Sequence, residues 1–263
     1  MALQFERVFG GSVKEVGDAL TRWTETRTRN LGRVVENAAR KTDPNGRGSV
    51  HPRAALAIIE EAGWADDEMV AEYLGGVLAG AKTEDHRDDR AVTYTAQIRR
   101  LSSYALTVHY LVYHALHKNT RLDTKHRVGE AGPRASLQVA IPGSVFIDAF
   151  QDDDLLHSLW PKIHHAGRTL VRENLLDATN GATGWGAESV LPVWARTGEL
   201  VGFHCTASMD GVDLYLWGMG AGGRPVNDLF APDLLEPEGS PSVRAIRVHP
   251  SIRPQVAESE SGE

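Results

Sequence analysis

Eight residues between 91 and 115 constrain this chain more than any other feature. Ala91, Tyr94, Ile98, Leu101, Ala105, Val108, Val112 and Ala115 recur at alternating steps of three and four. That spacing lines up one face of an α-helix as a packing seam, and all eight residues suit an interior. It predicts one long helix and, around it, a helical bundle. The same stretch, "EDHRDDRAVTYTAQIRRLSSYALTVHYLVYHALH" (84–117), also carries four histidines, four acidic residues and four arginines. It therefore poses a choice between a metal or acid–base site and a helix with ordinary surface residues.

The histidines favour the second. With Val108 and Val112 on the seam, the spacing places His109 beside the buried stripe and projects His114 and His117 outward. His114 and His117, three apart, can share a ligand. Zinc takes three or four ligands, however, and this helix offers two. "HRDDR" (86–90) reads as a helix start: Asp88 and Asp89 cap it, and Arg87 and Arg90 pair with them or with a neighbouring loop. The competing reading is a metal-dependent hydrolase using His109, His114, His117 and Asp88 or Asp89.

Upstream, Val13, Val16, Leu20, Trp23, Leu31, Val34 and Ala38 keep near-helical spacing, and Asp43-Pro44-Asn45-Gly46 ends that helix. This first helix is rich in arginine. Pro52 suits the first position of a second helix reaching about Ala62. Asp66 and Asp67 open a third, which buries Met69, Val70, Tyr73, Val77 and Leu78. Gly75 and Gly76 lie inside it at a cost of about 1 kcal/mol each, which implies close approach of a neighbouring helix. Residues 119–134 read as a linker.

Beyond the linker, "ASLQVAIP" alternates like a strand, and Leu155 to Leu170 has helical spacing interrupted by Pro161. "SVLPVWA" and "ELVGFHCTAS" read as strands. Asp210-Gly211 then leads into "VDLYLWGMG", either a third strand or a helix ending in glycines. From Pro232 the chain reads as a disordered acidic tail. The expected organisation is a helical domain (1–118), a linker (119–134), a small α+β domain (135–231) and the tail (232–263). The fold class is α+β, mainly α.

The chemistry available elsewhere is thin. Gly218, Gly220 and Gly223 match G-x-G-x-x-G but lack the strand, helix and nucleotide-binding unit that give the pattern meaning. Cys205, the single cysteine, excludes an internal disulfide and reads as a small core residue. His164, Arg168 and Arg172 share one helix and form a candidate phosphate-contacting face. A net charge of −7 argues against a dedicated nucleic-acid binder. No segment reaches the roughly 18 apolar residues that span a bilayer. Met1 to Val13 shows no signal peptide, so a cytoplasmic location is expected.

The runs "HPRAALAIIEEAGWADDEMVAEYLGGVLAG" and "RLSSYALTVHYLVYHAL" resemble the core of the bacterial abortive-infection alpha family. In that pattern a helix ending in a W-A-x-L-L-A-like turn precedes a helix opening L-S-P-L-E-A. Val77-Leu78-Ala79 and Leu101-Ser102 fit; Leu74, Ser103 and Ala105 depart from the tryptophan, proline and glutamate. The block "YLGGVLA…RDDR…LSSY…HYLVY" is also similar to a group of uncharacterised bacterial proteins. The resemblance implies a helical domain followed by a small α+β part, in proteins of defence against bacteriophage. It carries no catalytic residues. The second half is similar to a winged-helix arrangement, with "LWPKIHHAGRTLVRENLL" as the helix before the wing and "ELVGFHCTASMDGVDLYLW" supplying its paired strands.

The expected function is a non-enzymatic phage-defence or regulatory protein acting through protein contacts, including self-association. Gly75, Gly76, Asp88, Asp89, Arg90 and His109 would be packing or interaction residues, and no cofactor is implied. The alternative is a DNA-binding regulator using the winged-helix-like part.

Overall fold

A computed structural model of the chain describes residues 13–43, 47–120, 128–177, 184–187, 193–196, 201–234, 237 and 239–249. The architecture is α+β and mainly α. The first helix, α1 (Val13–Lys41), packs along α3 (Glu68–Gly80), with α2 (Pro52–Ala62) beside both. Pro52 stands in the first turn of α2, and Asp67 caps α3 by accepting from the Met69 and Val70 amides at 2.9 and 3.3 Å. A two-stranded ribbon, β1 (Ser49–Val50) with β2 (Lys82–Thr83), closes this part.

The two glycines inside α3 do what their cost implies. A Cβ on Gly75 would fall 2.5 Å from the Asn37 side chain of α1. On Gly76 it would fall 1.7 Å from the carbonyl oxygen of Gly218, at the end of α9 (Met209–Gly218). Backbone therefore presses on α3 from two sides. Between these contacts lies buried Glu72, ion-paired to Lys41 at 2.7 Å and to Arg40 at 3.0 Å. Lys41 Nζ also donates to the Gly218 carbonyl at 2.7 Å, so one cation joins α1, α3 and the end of α9. Burial lowers the Lys41 pKa, and the Glu72 carboxylate opposes that shift.

The seam from Ala91 to Ala115 is not one helix. It divides into α4 (Ala91–Arg99) and α5 (Ser103–Thr120), and Ser102 Oγ accepts from the Ala105 amide at 3.2 Å across the break. Seven of its eight residues are buried and Tyr94 is half-buried. The larger departure concerns α5, where every residue from 105 to 117 is buried. An amphipathic helix would show an outer face; α5 is instead the enclosed central rod.

The enclosing material comes from both halves. After α6 (Ala131–Ala135) the chain forms β3 (Gln138–Pro142), α7 (Gly143–Phe150), a π-helical turn (Leu155–Leu159) and α8 (Trp160–Arg172). Pro161 sits in the first turn of α8, so the interruption marks a helix start. The sheet is antiparallel in the order β4 (Leu176–Asp177), β6 (Val201–Ala207), β3, β7 (Arg247–Val248), and β5 (Gly184–Ala187) also pairs with β6. Gly167 of α8 leaves room for the Phe203 ring of β6. One hydrophobic core runs from Val34 to Val248, so residues before and after 118 share it.

Of the two readings of "VDLYLWGMG" the helix holds: it is α9, started by Ser208, whose Oγ accepts from the Gly211 amide at 3.0 Å. The wing therefore lacks its second strand, because a helix follows β6. In the expected tail, β7 pairs with β3, and Val243, Ile246 and Val248 are buried; residues 250–263 lie outside the described ones. In "SVLPVWA", Val193–Ala195 is a short 3-10 turn, and 189–192 lie outside. Of the linker, 131–135 is helical and 121–127 lie outside.

Candidate functional site

The histidines of α5 occupy a buried network. His109 Nε2 lies 3.0 Å from the Gly211 carbonyl and Nδ1 lies 2.7 Å from the Tyr73 hydroxyl. A carbonyl only accepts, so Nε2 carries the proton and Nδ1 accepts from Tyr73. Complete burial holds this ring neutral and lowers its pKa to about 3. Tyr113 donates to the Leu175 carbonyl at 2.6 Å and accepts from the Ser208 amide at 3.0 Å. His114 Nδ1 meets the Tyr215 hydroxyl at 2.9 Å, and His117 Nδ1 meets the Leu229 carbonyl at 2.7 Å.

His114 and His117 are thus buried rather than outward, at 3% and 1% exposure. Spacing relative to the seam misplaces them because α5 has neighbours on every side. Their bonds run to α9 and to the 3-10 turn Val226–Phe230, while His109 ties α5 to α3 and α9. Among the described residues no group of three His, Cys, Asp or Glu is placed to hold a metal. The arrangement ties α5 into the core. Sequence reasoning missed Tyr113, Tyr215, Glu72 and Lys41. The available signal was the density of polar-tipped rings at 109, 110, 113, 114 and 117, too many for a helix with one buried face.

The acidic pair also changes role. Asp88 binds Arg90 at 2.6 Å and Asp89 binds Arg53 at 2.9 Å, and α4 begins with no side-chain cap. The Arg90 guanidinium holds the Asp88 carboxyl below the usual carboxylate range and lies 5.8 Å over the Trp217 ring. Gly218, Gly220 and Gly223 stand at the C-terminal end of α9, the last two with φ of 82°. A phosphate cradle needs the opposite helix end, so this run terminates a helix. Cys205 is buried and its thiol pKa is pushed up by burial. His164, Arg168 and Arg172 are exposed on the solvent face of α8, with Ile163, Ala166 and Leu170 buried behind them. Glu173 lies 3.5 Å from Arg172 and 3.2 Å from Arg100, which tempers that face.

A cleft of about 370 Å³ opens between the start of α3, the start of α5 and the end of α7, with Glu72, Tyr104, Thr107 and Phe150 among its lining. Its most enclosed carboxylate, Glu72, is already committed to Lys41 and Arg40.

The other surface of note is the face formed by α1, α2 and the turn after α2. Trp23 and Trp64 are 45% and 58% exposed, edge to face at 6.1 Å. The Arg27 guanidinium lies 4.7 Å from one ring and 5.2 Å from the other. The turn carrying Trp64 is held from α1: Asn30 Nδ2 donates to the Gly63 carbonyl at 3.2 Å, and Arg33 donates to the Ala65 and Asp66 carbonyls at 2.9 and 3.1 Å. Gly63 leaves the space that the Arg27 side chain fills. Leu56 and Ile59, neighbours on the outer side of α2, are also exposed, as is Val35. Trp23, Trp64, Leu56 and Ile59 are four of the eight large apolar side chains exposed among the described residues. The face is held in place, apolar and open.

Comparison with protein-family models, curated proteins and solved structures finds no match to this chain.

Proposed function

We propose that this protein is a non-enzymatic phage-defence or regulatory protein that acts through protein contacts at the α1–α2 face. The observation that carries the reading is the Trp23–Arg27–Trp64 group. Tryptophan and arginine are enriched among the few residues that carry most of the binding energy at protein interfaces. Exposed apolar side chains gathered on one face mark interaction sites more often than scattered ones do. Here the backbone beneath Trp64 is already fixed by Asn30 and Arg33, so little ordering cost is left for binding. The contrast with the interior supports a non-catalytic role. The α5 histidines and Glu72 are spent on internal partners, and catalysis needs a group free to meet substrate. The defence setting comes from the resemblance alone.

The test is plaque formation by a panel of diverse phages on cells with and without the protein. Protection against some phages is expected, together with its loss in the double variant Trp23→Ser/Trp64→Ser at unchanged circular dichroism. No protection across the panel removes the defence role. Protection that survives in the double variant removes the face.

A further inference from the structure

We infer that the α1–α2 face receives an acidic protein segment bearing apolar side chains, an inference that rests on the protein-contact reading above. It starts from how arginines are used in this chain. Arg40, Arg53, Arg90 and Arg224 each meet a carboxylate at 2.6 to 3.0 Å. Arg22, Arg27 and Arg29 meet none among the described residues. All three lie in the stretch 21–29 of α1, which is exposed except for half-buried Arg27. In a protein of net charge −7, three guanidiniums against the single carboxylate of Glu25 within residues 21–29 give a local excess of positive charge.

Arg27 sharpens the point. Its guanidinium is held against two indole rings, a contact worth about 0.5–1 kcal/mol at an exposed site, and it makes no hydrogen bond to the other described residues. Its in-plane N–H groups are therefore unspent, and their fork matches a carboxylate. The rings beside it exclude water and strengthen any charge contact made there. Arg22 and Arg29, seven residues apart, share one side of α1. The exposed stretch is about 13 Å long at 1.5 Å per residue, enough for two turns of a partner helix.

Two observations favour protein over nucleic acid as the source of negative charge. Leu56 and Ile59 add aliphatic surface, which suits leucine-like side chains better than bases or phosphates. A nucleic-acid duplex also carries a charge about every 1.7 Å of its axis, and so would feel the net −7 of this molecule far more than a short acidic segment does.

The experiment uses the full chain and fluorescence anisotropy of three labelled probes. One is a peptide of about 20 residues with leucine at helical spacing and glutamate elsewhere; the second is its lysine-for-glutamate counterpart; the third is an oligothymidylate of similar length. The acidic peptide should bind, weaken with salt, and lose about tenfold in affinity in Arg22→Glu/Arg29→Glu, a loss of about 1.4 kcal/mol. The lysine peptide should not bind. Failure of the acidic peptide, indifference to the charge reversal, or tighter binding of the oligonucleotide overturns the inference. The plaque assay separates the two levels. Protection lost in Trp23→Ser/Trp64→Ser but kept in Arg22→Glu/Arg29→Glu leaves the contact reading standing and removes the acidic partner. Protection kept in both removes the contact reading itself.

Discussion

His109 shows what a single buried polar residue does in this protein. The folded chain holds it neutral with a pKa of about 3, against 6.5 for an ordinary imidazole. Between those values the unfolded chain takes up a proton that the folded chain refuses. Its contribution to stability is therefore full above pH 6.5 and falls as the pH drops, by about 1.4 kcal/mol per pH unit. Urea unfolding from pH 6.5 to 5.5, largely above the range where carboxylates titrate, should show a loss of about 1 kcal/mol, since the unfolded imidazole is only half protonated at the start of that interval. The loss should be smaller by about that amount in His109→Gln, whose amide can still donate toward Gly211 and accept from Tyr73. An equal slope in both proteins would place the titration elsewhere. At this scale the sequence was partly legible. His109 was placed at the core edge because it flanks Val108 and Val112, and it is buried. The spacing puts His114 and His117 outside, because a three-and-four period reports one buried face and says nothing of a second.

At the scale of elements, the contacts of α3 are set by missing atoms. Gly76 faces the Gly218 carbonyl, and a methyl group there would meet backbone on a packed helix end. Gly76→Ala should therefore cost about 3 kcal/mol, the upper part of the range for overpacking. Gly32, on α1, has nothing within 4 Å of an added Cβ. Gly32→Ala should stabilise by about 1 kcal/mol through helix propensity alone. Chemical denaturation of the two variants checks both signs, and a Gly76→Ala protein as stable as the parent would refute the tight crossing. The glycine pair was readable because two glycines within an apolar helix need a reason. The break between α4 and α5 was not, because Leu101 continues the seam while Ser102 silently supplies the new cap. Likewise Asp210-Gly211 carries a turn signal, yet Ser208 and Asp210 together also spell a helix start. That second signal prevails here, and the wing is lost with it.

For the whole molecule, the decisive fact is the shared core. Val243, Ile246 and Val248 are buried, and β7 covers the outer side of β3. A chain ended after Pro241 loses that burial, at about 1.5 to 3 kcal/mol for each fully buried side chain before the entropy of ordering is set against it. It also bares the edge of β3. Such a truncation should lower the urea midpoint clearly and promote aggregation. An unchanged midpoint would mean that the segment contributes nothing. Charge and composition could not reveal this docking, since the few apolar residues that matter sit among prolines, serines and glutamates. The α1–α2 face was equally hidden. The periodicity assigns Trp23 to a buried stripe, because an exposed tryptophan and a buried one leave the same mark in a periodic pattern.

The enclosure of α5 bears on how the protein is made. Translation delivers α5 long before α8, β6, α9 and β7, the pieces that pack around it or complete its sheet. Until the ribosome has passed residue 248, thirteen successive core residues of that helix wait without their final cover. Central strand β3 likewise waits on a partner more than one hundred residues downstream. A chain ordered this way matures late in synthesis. It has reason to depend on holding factors at the tunnel exit.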